Sequence, residues 1–500
     1  MTKFEKQIRN YMDAAFPILY IHTTEETKAK NAILQAASDI PRIEILSWDG
    51  TDRSCDLKSG EAYPTSEYPL TNLLDNCMDS FVQQCHIFVL ENIETFMEDP
   101  FVTARLKKLA EHTHGGEIDA SIFIVSPVLK IPPELEKYIT VMEMDYLDEI
   151  EIEGIIQKFI LEEGIWISET LKHEFATAFK GLSEFEIEHI LQLAYSSDGE
   201  LRKSHISLIF EQKKQLIKKA GILEMVPLRE SLSDIGGLEC LKEWLTRKKK
   251  VISQMDKARN FGVDMPKGVL IAGVPGCGKS LSAKAAAKLF NIPLLRLDMG
   301  RSLGKYLGES EGNMRKAIRL AEALSPCVLW IDELEKAFTG TGGDGSGSEV
   351  AVRLLGSFLT WLQEKESAAF VVATANDITK LPPELLRKGR FDEIFSVDLP
   401  NFEERRKIFD IHIRKRRGMD LLGIDLDCLA RNAEGYSGAD IEGVVRESVE
   451  MAFTDGRDNL TTENICFTMA NTQSLSEIMK DSIREMQSEY EKRKLKKASK

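Results

Sequence analysis

Residues 273 to 280 read GVPGCGKS, with glycines, lysine and serine at the spacing G-x-x-x-x-G-K-S. The apolar run GVLIA precedes them and SAKAAAKLF follows, so the pattern sits between a strand and a helix. That order constrains the fold to a parallel α/β type and also sets the local chemistry. Glycines let the backbone curl until successive N–H groups face one point, and the helix N-terminus adds partial positive charge there. Pro275, Gly276, Cys277, Gly278, Lys279, Ser280 and Leu281 therefore form a candidate phosphate-binding loop. Lys279 is expected to reach the β- and γ-phosphates of ATP, and Ser280 to offer its hydroxyl to Mg²⁺.

Five hundred residues, 43% of them hydrophobic, are enough for several cores. No apolar run approaches the ~18 residues that span a bilayer, and the start, MTKFEKQIRN, mixes acids and bases ahead of the short run FPILYI. Neither a membrane nor secretion is indicated, and the cytoplasm is the expected location. Eight cysteines lie scattered without a C-x-x-C pair, which excludes a disulfide frame and a zinc site as readings. Cys277 reads as a small tolerated residue whose oxidation would block phosphate binding. A net charge of −15 argues against broad nucleic-acid affinity. The basic stretch KRKLKKASK from Lys492 reads as a solvated, disordered end.

About fifty residues beyond the loop, CVLWIDELEKAF is an apolar strand ending in Asp332 and Glu333. An acid at the strand end can hold the water shell of Mg²⁺, and the next carboxylate can activate an attacking water. The following strand, FVVATAN, ends in Asn376, whose amide can hydrogen-bond the γ-phosphate or that water. LPPELLRKGRFDE then holds Arg387 and Arg390 in a turn with Gly389. Two guanidiniums so close form either a solvated face or a pair that reaches a neighbouring subunit's γ-phosphate; the preceding motifs favour the second.

The series DIGGLE (Asp234 to Glu239), GVPGCGKS, WIDE, ATAN, LLRKGRFDE and EGYSGADIEGVV (Glu434 to Val445) resembles the AAA ATPases in order and spacing over residues 230 to 475. The resemblance implies ATP hydrolysis and a homo-oligomer, expected to be a hexamer. It also implies adenine contacts from Ile235 and Gly236 and lid contacts from Gly438 and Ala439. Together with an opening on FPILYIHTTEE, the motifs are similar to the hypothetical-chloroplast-reading-frame AAA family over nearly the whole chain. For a plastid-encoded member, that family implies the plastid stroma.

The first half repeats the second. HIFVLENIETFM parallels CVLWIDELEKAF, SIFIVSPVLKIPPELEKYITVMEM parallels FVVATANDITKLPPELLRKGRFDEIFSVDL, and GLSEFEIEHIL parallels GYSGADIEGVV. Such a repeat implies a shared fold. After PILYIH, however, stands TTEETKAK, without glycine and with two acids that repel a triphosphate. Glu91 and Asn92 hold the places of Asp332 and Glu333. The expected architecture is two tandem P-loop NTPase (AAA) modules, each a parallel αβα core with a small helical lid, the first degenerate. Its parts are a core at 1–150, a lid at 151–225, the active core at 229–400, its lid at 401–475, and a helix and basic tail at 476–500.

ATP hydrolysis says little about what is moved. In SLGKYLGESEGNMRKAI, Lys305, Tyr306, Leu307 and Gly308 resemble the loop with which protein-remodelling AAA rings grip polypeptide, an aromatic face suiting any backbone. Tyr306 packing between subunits is the plainer reading. The Gly-rich GTGGDGSG, Gly340 to Gly347, reads as a loop, either a mere connector or, as the resemblance to AAA rings implies from its place after WIDE, one at the central channel. An oligomeric ATPase acting on a protein substrate is the favoured function. A nucleic-acid motor or loader, resting on the basic tail and the RKKK run at 247–250, or an ATP-gated scaffold, is the alternative.

Overall fold

Short apolar runs bounded by turns become the strands of two sheets. The computed structural model describes residues 2–41, 43–50, 54–62, 69–79, 86–297, 309–337, 356–418, 423–457 and 459–500. It divides into two compact units, Met1–Arg202 and Lys203–Lys500.

The first unit contains β1 (Ile18–His22), β2 (Glu44–Trp48), β3 (Ser54–Asp56), β4 (His86–Glu91), β5 (Ala120–Ser126) and β6 (Ile139–Glu143), in the order β3-β2-β4-β5-β1-β6. Every pairing is parallel except that of β2 with β3. β4 and β5 are buried along their whole length, as strands covered on both faces must be. Alternate side chains go to opposite faces. Ile18 and Tyr20 join Trp48, Leu74 and Leu106 in one core, whereas Leu19 and Ile21 join Ile8, Ile33 and Phe123 in the other. Helices Glu149–Glu163, Glu169–Phe179 and Glu184–Asp198 follow, started by the capping side chains of Asp148, Ser168 and Ser183.

The second unit contains β7 (Leu223–Val226), β8 (Gly268–Gly273), β9 (Leu294–Leu297), β10 (Cys327–Ile331), β11 (Ala369–Ala375), β12 (Glu393–Val397) and β13 (Lys496–Lys497), in the order β13-β12-β8-β11-β10-β9-β7. Only the pairing of β7 with β9 is antiparallel. Taking β1, β2, β4, β5 and β6 in one sheet and β8 to β12 in the other, both run fifth, first, fourth, third, second. The repeat seen in the sequence thus extends to strand order. Helices Phe402–Arg417, Leu426–Asn432, Gly438–Thr454 and Thr462–Ala470 form a separate apolar cluster around Phe409, Ile413, Ile441 and Val445.

The end of the stretch expected as the first lid (151–225), from Ser204 to Met225, packs with the second unit. Ile217 and Leu223 pack into a core with Leu295 and Leu329, and β7 extends the sheet beyond β9. The end expected to be disordered is instead built in. β13 pairs with β12 through Lys496 and Lys497, and Ala498 is fully buried among Val269, Phe395 and Trp244. Backbone pairing and one small apolar residue suffice here, so the run of lysines hid the strand. Tyr306 and Gly340 to Gly347 lie outside the described residues.

Candidate nucleotide site

β8 ends at Gly273, and five residues, Val274–Gly278, separate it from the helix Lys279–Phe290. Gly276 and Gly278 have φ of +73° and +87°, and a Cβ on Gly276 would come within 2.9 Å of both Ala439 Cβ and Ser437 Oγ. Glycine is needed there because the loop bends left-handed while touching another element. That element is the helix Gly438–Thr454, whose Ala439 N–H donates to the Gly276 carbonyl at 3.0 Å.

The loop borders a cavity of about 550 Å³. Ile235, Gly236, Pro275, Gly276, Cys277, Gly278, Lys279, Ser280, Leu281, Asp332, Glu333, Asn376, Gly438 and Ala439, all singled out from the sequence, line it together. Lys279 is 6% exposed and donates to the carbonyls of Gly273 at 2.8 Å and Val274 at 2.9 Å. Burial pulls its pKa down to about 8, against the attraction of Glu335, Asp332 and Glu333. Ser280 Oγ lies 3.3 Å from Asp332 Oδ1, a hydroxyl and carboxylate set that suits Mg²⁺. Burial pushes the Cys277 thiol up to about 12, so it carries little thiolate.

Glu333 has φ +51°, and its N–H donates to Thr374 Oγ1, which donates in turn to Asp332 Oδ1 at 2.7 Å. Asn376 Nδ2 donates to Glu333 Oε1 at 3.1 Å, and Lys336 pairs with the same carboxylate. Asn376 N–H donates to Glu335, a carboxyl that burial raises. Thr374 and Glu335 were missed in the sequence, although a threonine inside the apolar FVVATAN is a visible signal. Leu238, Glu404, Ile408 and His412 line the cavity too, the last held toward its neutral form by burial. Their approach across 166 residues has no local signature.

Arg387 and Arg390 are not among the cavity's lining residues. Arg387 is exposed; Arg390 is half-buried, donates to the Glu384 carbonyl, and leaves its Nε without a partner.

The equivalent corner of the first unit is filled. Three residues, Thr23–Glu25, separate β1 from the helix Glu26–Ala36, against five in the second unit. Lys30 Nζ donates to both oxygens of Glu91 at 3.1 and 3.0 Å, and Asn92 Nδ2 donates to Glu26. Asn92 has φ +53°, the counterpart of Glu333. The turn is the same, but the carboxylate already has its cation.

The chain matches the model of the ATPase family associated with various cellular activities (AAA) over residues 269–399 and that of the AAA+ lid domain over 423–466. Residues 4–144 and 150–220 match the N-terminal and second domains of the SpoVK-like AAA ATPases. The fold and these matches define a SpoVK-like AAA ATPase. It is 36% identical over 485 residues to the AAA domain-containing protein ycf46 of Guillardia theta, covering 97% of this chain and 94% of that one. With ycf46 of Pyropia yezoensis the identity is 35% over 464 residues, 92% of each chain. The chain belongs to the ycf46 family. A proteasome-activating nucleotidase of Saccharolobus islandicus is 32% identical over 297 residues, 55% of this chain and 73% of that protein. No helix among the described residues is long and apolar enough to cross a membrane.

The Lys30–Glu91 pair generates a stability prediction. Glu91 is 3% exposed, and burial raises its carboxyl although Lys30 opposes the shift. The folded unit therefore keeps this proton to higher pH than the unfolded chain, and stability falls as pH rises through that interval. Lys30→Ala removes the opposing cation and is expected to cost about 3 kcal/mol at pH 8. The loss should shrink as pH falls toward the ordinary glutamate range near ~4.3. Hydrogen exchange of β1 and β4 at both pH values measures it; an equal loss at both would refute the assignment.

Proposed function

We propose that the second unit binds ATP with Mg²⁺ and hydrolyses it, and that the first unit is a degenerate copy of the same fold that binds no nucleotide. The convergence of Lys279, the Ser280–Asp332 pair and the Glu333–Asn376 pair on one cavity carries this reading. On it, Lys279 exchanges its two loop carbonyls for phosphate oxygens, which satisfy the same ammonium with negative charge. Ser280 and Asp332 would hold Mg²⁺, which would supply positive charge beside the phosphates. Glu333, oriented by Asn376, takes a proton from the water that attacks the γ-phosphorus as the bond to the ADP oxygen breaks, giving ADP and phosphate. Ile235 and Gly236 are read as contacts to adenine and Gly438 with Ala439 as lid contacts to the nucleotide, a reading supported by all four lining the cavity. Calorimetric titration is expected to find one ATP per chain and none with Lys279→Ala. Glu333→Gln should keep binding while hydrolysis falls ~10²- to 10⁴-fold. Two ATP per chain would refute the silent first unit.

Arg387 is exposed, with Arg390 three residues on and partly exposed, which supports their serving a neighbouring copy in a ring, expected to be a hexamer. Activity per chain should then rise with protein concentration. Mixing an Arg387→Ala, Arg390→Ala chain with a Lys279→Ala chain should restore activity that neither has alone. Full activity in the monomer, with no rescue on mixing, would remove the trans role.

The substrate is proposed to be a protein. The related proteasome-activating nucleotidase acts, by its name, on a protein assembly. In the basic segments behind the nucleic-acid alternative, Lys496 pairs with Glu393, Lys500 with Glu243, and Lys248 of the RKKK run with Asp392, which favours the protein reading. Tyr306→Ala is expected to leave basal hydrolysis within a few-fold while abolishing stimulation by unfolded polypeptide. Stimulation by DNA, with polypeptide inert, would reverse the choice.

A further inference from the structure

The segment 495–500 touches the wall of the cleft as well as the sheet. Ala498 donates to the Ser396 carbonyl at 2.9 Å and accepts from Leu241 N–H at 3.2 Å. One residue on, Ser499 Oγ donates to Glu404 Oε1 at 2.6 Å. The same carboxylate oxygen accepts the Leu238 N–H at 3.1 Å, and the other accepts Asn401 N–H at 3.0 Å. Glu404 is 8% exposed and lines the cavity together with Ile235, Gly236 and Leu238. Leu238 itself has φ +57°, and a Cβ on Gly237 would lie 2.4 Å from the Glu404 carboxylate, so little slack exists there. Cys240 Sγ also donates to the Ser499 carbonyl, at 3.5 Å. One buried carboxylate is thus shared by the start of the lid helix, the segment 235–238 and the tail.

We propose that Ser499 is a positioning residue for the base end of the nucleotide: through Glu404 the tail acts as a strap that fixes 235–238 against the lid, and its release lowers nucleotide affinity. The inference rests on the ATP-site reading above. A buried carboxylate that loses one of three donors no longer holds the other two in place as firmly. Ser499 reaches the cavity through Glu404 and not by a hydrogen bond to Lys279, Ser280, Asp332 or Glu333, so affinity should respond and the chemical step should not.

Binding of a fluorescent ATP analogue and steady-state hydrolysis test this in the full chain, in Ser499→Ala, in Ser499→Thr and in a chain ended at Lys494, with thermal unfolding of each. Ser499→Ala is expected to raise Kd and KM together by roughly three- to ten-fold, with kcat at saturation changed by less than about two-fold. Ser499→Thr should restore wild-type affinity, and the shortened chain should bind more weakly than Ser499→Ala. An unchanged Kd in Ser499→Ala, in a wild-type chain that binds the analogue, overturns the strap, as does a fall in kcat at constant KM. A wild-type chain that binds no analogue overturns the site reading itself. If the shortened chain unfolds, the two Ser499 variants still decide the matter.

Discussion

A nearly dry ammonium organises the second unit. Lys279 sits at the first position of its helix, 6% exposed, with two neutral carbonyls of its own loop as partners and three acids nearby. Neutral partners can be traded for phosphate oxygens without leaving a buried charge unpaired. The first unit makes the opposite choice: Lys30 is fixed on Glu91, the residue that corresponds to Asp332. A polyphosphate there would have to break an ion pair and accept a buried carboxylate as neighbour. Two sheets of one strand order therefore differ in where a lysine at this corner finds its counter-charge.

The remainder of the site depends on the turns at the strand ends. The backbone at Glu333 and Asn92 takes the same positive φ, so the turn after the third parallel strand belongs to the fold rather than to the chemistry. In the second unit that turn carries a carboxylate held by Asn376; in the first it carries an amide bound to Glu26.

Much of this was legible. The runs GVLIA, CVLWI and FVVATA are apolar because their strands are buried on both faces. Serine or asparagine followed three residues later by an acid, a signal the sequence analysis did not use, starts the lid helices at Ser183, Asn401 and Ser437. The loop motif predicted its own neighbours. What stayed hidden depends on contacts distant in sequence. Glu404 reads as the third residue of a capped helix, which it is, but its links to Leu238 and Ser499 span 166 and 95 residues. β13 is two lysines joined to an edge by main-chain bonds, and β7 is identified by its partner β9 rather than by its own pattern.

The hydrogen bond from Ala439 to Gly276 joins the phosphate loop to the first turn of a helix that runs from Gly438 to Thr454. At 1.5 Å per residue that helix is a rod of about 25 Å. Gripped at one end, it converts a tilt of about 5° into roughly 2 Å of travel at the other. Any displacement of that loop is therefore coupled to a lever, and the far end of the lid is where the travel would be largest.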